Sequence, residues 1–251
     1  MRAVPVRSLP RRSGSSPVRR RLVAVAMAVL LLAPAMVSGA AAQGKVGSVA
    51  IVAPASRTNQ GWDQQGVDNL VQVGDQLGVS VAVADNAGYD DITPILLDLA
   101  ADGAQLIVCH ASGYQTVCPE FAASEEVPVV VIENPGAVAA GLVSDIETQA
   151  QDAAYLAGVM AGNETRTGTV AIVVTGQPPT WNYMTVGFAE GLKAARPDAK
   201  LVYTSVGEGS YDDAAGAKQV TDTVLAANAD IVFGMGDGAA FGMIQSIREF
   251  N

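Results

Sequence analysis

Histidine, cysteine and aromatic side chains are scarce in this 251-residue chain, which holds one His, two Cys and 5% aromatics. One His and two Cys without CxxC or HxxxH spacing make thin material for a zinc site. The chain has no G-x-S-x-G elbow, no H-E-x-x-H helix and no G-x-x-x-x-G-K-[ST] loop, so the common signatures of serine hydrolases, metalloproteases and P-loop enzymes are missing. Basic residues are also few once the N-terminus is set aside. Residues 1–42 contain seven arginines and no acid, then an apolar run from Leu22 to Val37, and end in Ala40-Ala41-Ala42. That is the pattern of a cleavable export signal, with Pro34 and the small terminal residues favouring cleavage over an uncleaved anchor. Arg19, Arg20 and Arg21 before Leu22 leave the general secretory and twin-arginine routes both open. No Cys follows the apolar run, which excludes a lipoprotein anchor at this site. The remaining chain sets eight basic residues against 25 acids, a charge near −17. Such a surface repels nucleic acid and anionic membranes and excludes both as direct partners.

Alternation and repetition are what the chain does have. From Val46 on, short β-branched runs alternate with amphipathic stretches, which predicts a parallel sheet with crossover helices. In the first half the spacing predicts strands at 46–52, 79–83, 105–109 and 128–132. The helices are predicted from Trp62 to Leu77, from Tyr89 through Leu99, and from Tyr114 to Ser124. A small-residue helix from Tyr155 to Gly162 closes that half. Then the pattern begins again: Val49-Ala-Ile-Val52 recurs as Val170-Ala-Ile-Val173, and Gly88-Tyr-Asp-Asp91 is echoed by Ser210-Tyr-Asp-Asp213 in nearly the same offset. A shared offset points to two copies of one α/β unit. The predicted domains are an export signal at 1–42, an N-terminal α/β lobe at 43–162 and a C-terminal α/β lobe at 163–251. The second lobe lacks counterparts of the first lobe's fourth strand and following helix, so it reads as incomplete.

Candidate functional residues cluster at strand ends, where doubly wound sheets bind ligands. His110 ends the third strand. Trp62 and Trp181 are the only tryptophans, and each falls between the first strand of a half and its first helix, a placement that lets both indoles line a cleft from opposite sides. Tyr114, Tyr183 and Met184 lie near helix starts as well. Asp90/Asp91 and Asp212/Asp213 are paired carboxylates at predicted helix starts, where the helix dipole is explanation enough. Gly234-Met-Gly-Asp-Gly-Ala239 fits a loose dinucleotide fingerprint, but it follows the last strand rather than the first and reads as a tight turn. Cys109 and Cys118 are able to pair in an oxidising compartment, and so short a loop would contribute roughly 2–3 kcal/mol.

Four runs carry a family resemblance. Gly61-Trp62, Leu156-Ala-Gly-Val-Met-Ala-Gly162 with Thr167-Gly-Thr-Val-Ala-Ile172, Gly187-Phe-Ala-Glu-Gly-Leu-Lys193 with Pro197-Asp198, and Gly209-Ser-Tyr-Asp-Asp213 resemble the basic membrane protein family of substrate-binding proteins. These are extracytoplasmic receptors of ABC importers, related to PnrA-type purine nucleoside receptors. The resemblance implies a type I periplasmic-binding fold with two Rossmann-like lobes, here short at the C-terminus, and a purine base or nucleoside between them. Gly61-Trp62 resembles the branch in which the Trp packs on a purine. By position, the resemblance puts Asn59, Gln60 and Trp62 in the first-lobe wall and Glu133 where nucleoside receptors often have an Asp. Trp181, Tyr183 and Met184 would form the second-lobe wall, with Gly236 and Asp237 as its floor. The loop Ser56–Gln60 departs from the Asp-x-Ser-Phe-Asn of nucleoside receptors, which leaves free bases open as ligands.

The expectation is therefore binding without catalysis, metal or cofactor. A small planar solute is captured outside the cytoplasm and handed to a membrane permease, the receptor touching the membrane only through that partner. Two alternatives stand beside it: a sugar or other small-solute receptor feeding a sensor, and a secreted nucleoside hydrolase. Residues 53–59 hold no acid, which counts against the hydrolase.

Overall fold

The alternation of β-branched runs and amphipathic helices is realised as two parallel sheets. The structure is a computed structural model and describes residues 45–250. The export signal assigned to residues 1–42 lies outside the described residues. Among the described residues no helix is long and apolar enough to cross a membrane.

The first sheet holds β1 (Ser48–Val52), β2 (Ser80–Ala84), β3 (Ile107–Cys109), β4 (Val129–Ile132) and β5 (Val143–Ile146), in the order β2-β1-β3-β4-β5 with every pair parallel. Helices α1 (Trp62–Leu77), α2 (Thr93–Ala101) and α3 (Val117–Glu125) make its crossovers. The second sheet holds β6 (Thr169–Val174), β7 (Lys200–Ser205) and β8 (Ile231–Met235), ordered β7-β6-β8 and also parallel. Around it lie α4 (Ala150–Glu164), α5 (Pro179–Ala195), α6 (Ala214–Ala226) and α7 (Ala240–Phe250). The order β7-β6-β8 repeats β2-β1-β3, and the recurring Val-Ala-Ile-Val forms the middle strand of both triplets.

Central parallel strands are covered on both faces and therefore need apolar residues at every position. All six residues of β6 are buried, as are Val49 to Val52 of β1. On β6 successive side chains point to opposite faces. Val170, Ile172 and Val174 pack with Ala154, Ala161, Phe188 and Leu192 of α4 and α5, whereas Ala171 and Val173 pack with Ala217, Val224 and Met243 of α6 and α7. The first sheet does the same, with Ala50 and Val52 against Leu96 and Phe121, and Ile51 against Val67 of α1.

Three features differ from the sequence reading. The helix that was expected to close the first lobe, α4, packs instead with α5 and the second sheet. Its small face decides this, because Gly158 lies against the Phe188 carbonyl and Gly162 against Ala195. The chain thus leaves the first sheet at Ile146 and enters the layer of the second with α4 at Ala150. Strand β5 was not predicted, being four residues of mixed character, Val-Ser-Asp-Ile. Finally, α2 starts at Thr93 rather than Tyr89, with the Asp91 carboxylate accepting from the Thr93 amide at 2.9 Å. Asp213 is itself the N-cap of α6, accepting from the Gly216 amide at 2.9 Å.

Candidate ligand cleft between the two sheets

The cleft is built where the C-terminal ends of β1 and β3 meet those of β6 and β8. After β1 the chain runs through a polar loop into α1. Asp63, in the first turn of α1, folds back on that loop and accepts from the Ala55 amide at 3.2 Å and the Asn59 amide side chain at 3.0 Å. Asn59 in turn accepts from the Gly61 amide at 3.0 Å, and Gln60 sits in the left-handed region with φ 58 while its amide donates to Gln64. Asn59 and Gln60 are therefore scaffold for the loop and do not line the cavity.

Trp62 and His110 form a stacked pair, with ring centroids 4.5 Å apart and planes within 3°. Two hydrogen bonds of 2.9 Å lock them: the indole N–H donates to the His110 carbonyl, and the imidazole Nε2–H donates to the Trp62 carbonyl. Burial holds His110 below the ordinary histidine range, so the imidazole is a neutral donor here. His110 thus backs Trp62, which remains 42% exposed and lines the cavity. Cys109 and Cys118 are joined by a disulfide, and between them lies the loop carrying His110, Ser112 and Tyr114.

From the second half come Trp181 and Met184 on α5, Tyr211 before α6 and Asp237 after β8. Trp181 meets Tyr211 edge-on, with centroids 5.4 Å apart at 71°. Tyr211 also meets Tyr89 at 5.6 Å, and these two are the equivalent residues of the repeated Tyr-Asp-Asp runs. Tyr89 continues to Tyr114, whose hydroxyl donates to the Gly88 carbonyl at 2.6 Å. Burial raises Tyr89 and Tyr114 above the ordinary phenol range, so both hydroxyls stay protonated.

The halves also cap one another's helices. Asp237 accepts from the Trp62 amide at the head of α1 at 3.1 Å, and Ser112 accepts from the Thr180 amide at the head of α5 at 3.3 Å. Each cap follows the third strand of its half and serves the first crossover helix of the other. Gly61 explains why the motif is Gly-Trp: a Cβ there would lie 2.6 Å from the Asp237 side chain. Burial, with Asp63 and Asp212 nearby, raises Asp237 to about 6, although the Trp62 amide and His110 pull the other way.

The enclosed space measures about 300 Å³, the lower end of the range for small-molecule pockets. Of the sequence-predicted site residues, Trp62, Trp181, Met184 and Asp237 line it. Gly236 lies behind Asp237, against Thr175 and Ala239. Glu133 is buried with φ 63 and accepts from the amide of Thr148 at 3.0 Å and from its hydroxyl, which fastens the crossing segment rather than reaching the cavity. Tyr183 faces a separate groove shared with Glu133 and Tyr155. The sequence reading gave no cleft role to Tyr89, Tyr211, Asp63, Ser112, Thr148 or Thr180, all of which line the cavity. For the two tyrosines a signal existed, since they are the aromatic members of the repeat.

Residues 46–251 match the family model described as Bmp, ABC transporter substrate-binding protein PnrA-like. The chain belongs to this family. Among curated proteins it is 25% identical over 210 residues to the transcriptional activator protein med of Bacillus subtilis (strain 168), covering 82% of this chain and 64% of that protein. Among solved structures it resembles an ABC transporter solute-binding protein from Conexibacter woesei DSM 14684, with 21% identity, TM-score 0.57, and coverage of 79% of this chain and 66% of that one. A second, from Aeropyrum pernix K1, has 20% identity, TM-score 0.67, and coverage of 80% and 58%. The Caulobacter myo-inositol binding protein bound to myo-inositol has 18% identity, TM-score 0.66, and coverage of 83% and 72%. The chain thus spans less than two thirds of the length of the B. subtilis relative and of the first two structures. At these identities the structural likeness concerns the fold, which is that of the type I periplasmic-binding proteins.

Proposed function

We propose that this Bmp-family chain is an extracytoplasmic receptor that closes two lobes over a purine base or nucleoside and presents it to an ABC permease, without chemistry of its own. The observation that carries the reading is the placement of Trp62 and Trp181. They come from corresponding positions of the two halves and face one small cavity whose other walls are largely apolar or aromatic. Flat heterocycles stack on such walls, and the Asp237 carboxylate offers an acceptor for ring and exocyclic N–H groups at the edge. Modest stacking and a few polar contacts suit a protein that must release what it captures.

Base–aromatic stacking contributes roughly 1–3 kcal/mol per contact, so Trp62→Ala or Trp181→Ala is expected to weaken binding by about one to two powers of ten. Calorimetry against adenine, guanine, adenosine, guanosine and ribose tests this. Tight binding of ribose alone, untouched by either replacement, would overturn it in favour of a sugar or polyol receptor. That second reading has support of its own, because carboxylates beside aromatic rings also suit hydroxyl-rich ligands and a neighbour of the same fold holds myo-inositol. Release of free base from nucleosides during the titration would instead favour a hydrolase.

A further inference from the structure

We propose that the Asp237 carboxylate is a proton-linked latch between the lobes: closing the cleft buries it against the head of α1 and the Asp63 carboxylate, and a proton taken up there favours the shut form. This rests on the reading of a receptor whose lobes open and close, and it concerns the ligand-free protein.

The reciprocal caps are the geometric basis. Asp237 and Ser112 occupy matching places after β8 and β3, and each accepts from a helix head of the opposite half. Both bonds exist only while the lobes meet. Of the two acceptors Ser112 is a neutral hydroxyl and Asp237 a carboxylate, so of the two bonds only the one to Asp237 has a titrating acceptor.

The surroundings of Asp237 decide the direction. Asp63 faces it from α1, His110 from the end of β3, and Asp212 from the head of α6, where its own carboxylate accepts from the Gly238 amide at 3.0 Å. The Asp237 amide is tied to the Tyr211 carbonyl at 3.0 Å. Three carboxylates thus share this corner, and burial holds the His110 imidazole below its ordinary value, which weakens its pull on Asp237. Among the described residues the ion pairs join Arg196 to Asp198 and Lys218 to Asp222 and Glu249, and none reaches the corner. An ionised Asp237 in the shut form is therefore desolvated and repelled, with the Trp62 amide as its main compensation.

Opening the cleft returns Asp237 to water and to the ordinary aspartate value of 3.8, whereas in the shut form it is raised to about 6. The shut form binds the proton more tightly, so the ratio of shut to open rises as pH falls through about 6 and levels off near 4. A gap of this size, reduced for the partial solvent access of the group, corresponds to about one to two powers of ten in that ratio.

The two tryptophans of the chain both line the cleft, so their emission reports closure in the unlabelled, full-length, ligand-free protein. The test follows tryptophan emission and small-angle scattering from about pH 7.5 to about pH 4.5. The scattering radius separates closure from quenching of Trp62 by His110. The expected result is a contraction as pH falls from about 6 toward about 4. Asp237→Asn keeps an acceptor for the Trp62 amide without the charge, and is expected to stay shut throughout with no transition. Asp212→Asn removes a repelling neighbour and should move the midpoint down. Expansion on acidification, no transition in the wild type, or a wild-type transition persisting in Asp237→Asn each overturns the latch. If Asp237→Asn does not fold, an unmoved midpoint in Asp212→Asn overturns it instead. No purine enters the experiment, so a protein that binds purines but shows no transition loses the latch alone. One that contracts as expected but binds no purine loses only the ligand assignment.

Discussion

Replacing Gly191 by alanine isolates what the two most specific motifs of this chain are for. Helices α4 and α5 touch backbone to backbone along Gly158 and Gly162 on one side and Gly187 and Gly191 on the other, each pair four residues apart and so on one helix face. A Cβ at Gly191 would lie 2.0 Å from the Tyr155 carbonyl oxygen, where ordinary contact begins at 3.4 Å. One at Gly158 would lie 2.1 Å from the Phe188 carbonyl. Neither obstacle is a side chain able to swing away, so the helices must part by more than an ångström. Overpacking of a well-filled interface typically costs 1–3 kcal/mol, and a backbone obstacle puts this case near about 3. Alanine returns about 1 kcal/mol through helix propensity, leaving a net loss of about 2 kcal/mol. For a chain of this size that is a fall in Tm of roughly 4–8 °C. Thermal melts followed by circular dichroism would read it for Gly191→Ala, Gly158→Ala and the double variant. The double variant should lose less than the sum of the singles, because helices already parted by one methyl accommodate the second. An unchanged or raised Tm in both single variants would refute the close-packed seam.

Two further outcomes follow from the same structure. Cys118→Ser removes the short disulfide loop and should destabilise the oxidised protein by roughly 2–3 kcal/mol; thiol counting under denaturing, non-reducing conditions should find no free thiol in wild type produced in an oxidising compartment, and two would rule the bridge out. Asp230 accepts from the Thr165 hydroxyl at 2.6 Å and from the amides of Arg166 and Thr167 at 2.6 and 3.0 Å. Burial works to raise it, but these bonds outweigh burial and hold it below the ordinary aspartate value, so their contribution is present at neutral pH and is lost as pH falls through that lowered value. Asp230→Ala should therefore lower stability by about 1–2 kcal/mol at pH 7, with the difference from wild type shrinking in strong acid; an equal difference at both ends would contradict the role.

Glycine runs show how a correct resemblance can be mute about mechanism. Leu156–Gly162 and Gly187–Lys193 identify the family, yet their glycines serve the α4–α5 seam. The same small face moved α4 from the first half to the second, and periodicity could not reveal this because a helix of Ala and Gly has no strong apolar stripe to aim. Glu133 and Tyr183 were placed by position in the chain and are turned away from the cavity by particular bonds and facings, Glu133 by its grip on Thr148.

From sequence alone came the alternation that dictates parallel sheets, the duplication and the strand-end location of the cleft, because all three are written in one-dimensional spacing. The pairing of Trp62 with Trp181 in one cavity was also within reach, since each indole occupies the same place in its copy. Tertiary structure alone decided the rest: that Tyr89 meets its own repeat partner Tyr211, that His110 backs Trp62, and that Asp237 and Ser112 cap helices of the opposite half. Those contacts join residues up to 175 positions apart. They depend on how the two sheets face each other, a relation that local spacing does not encode.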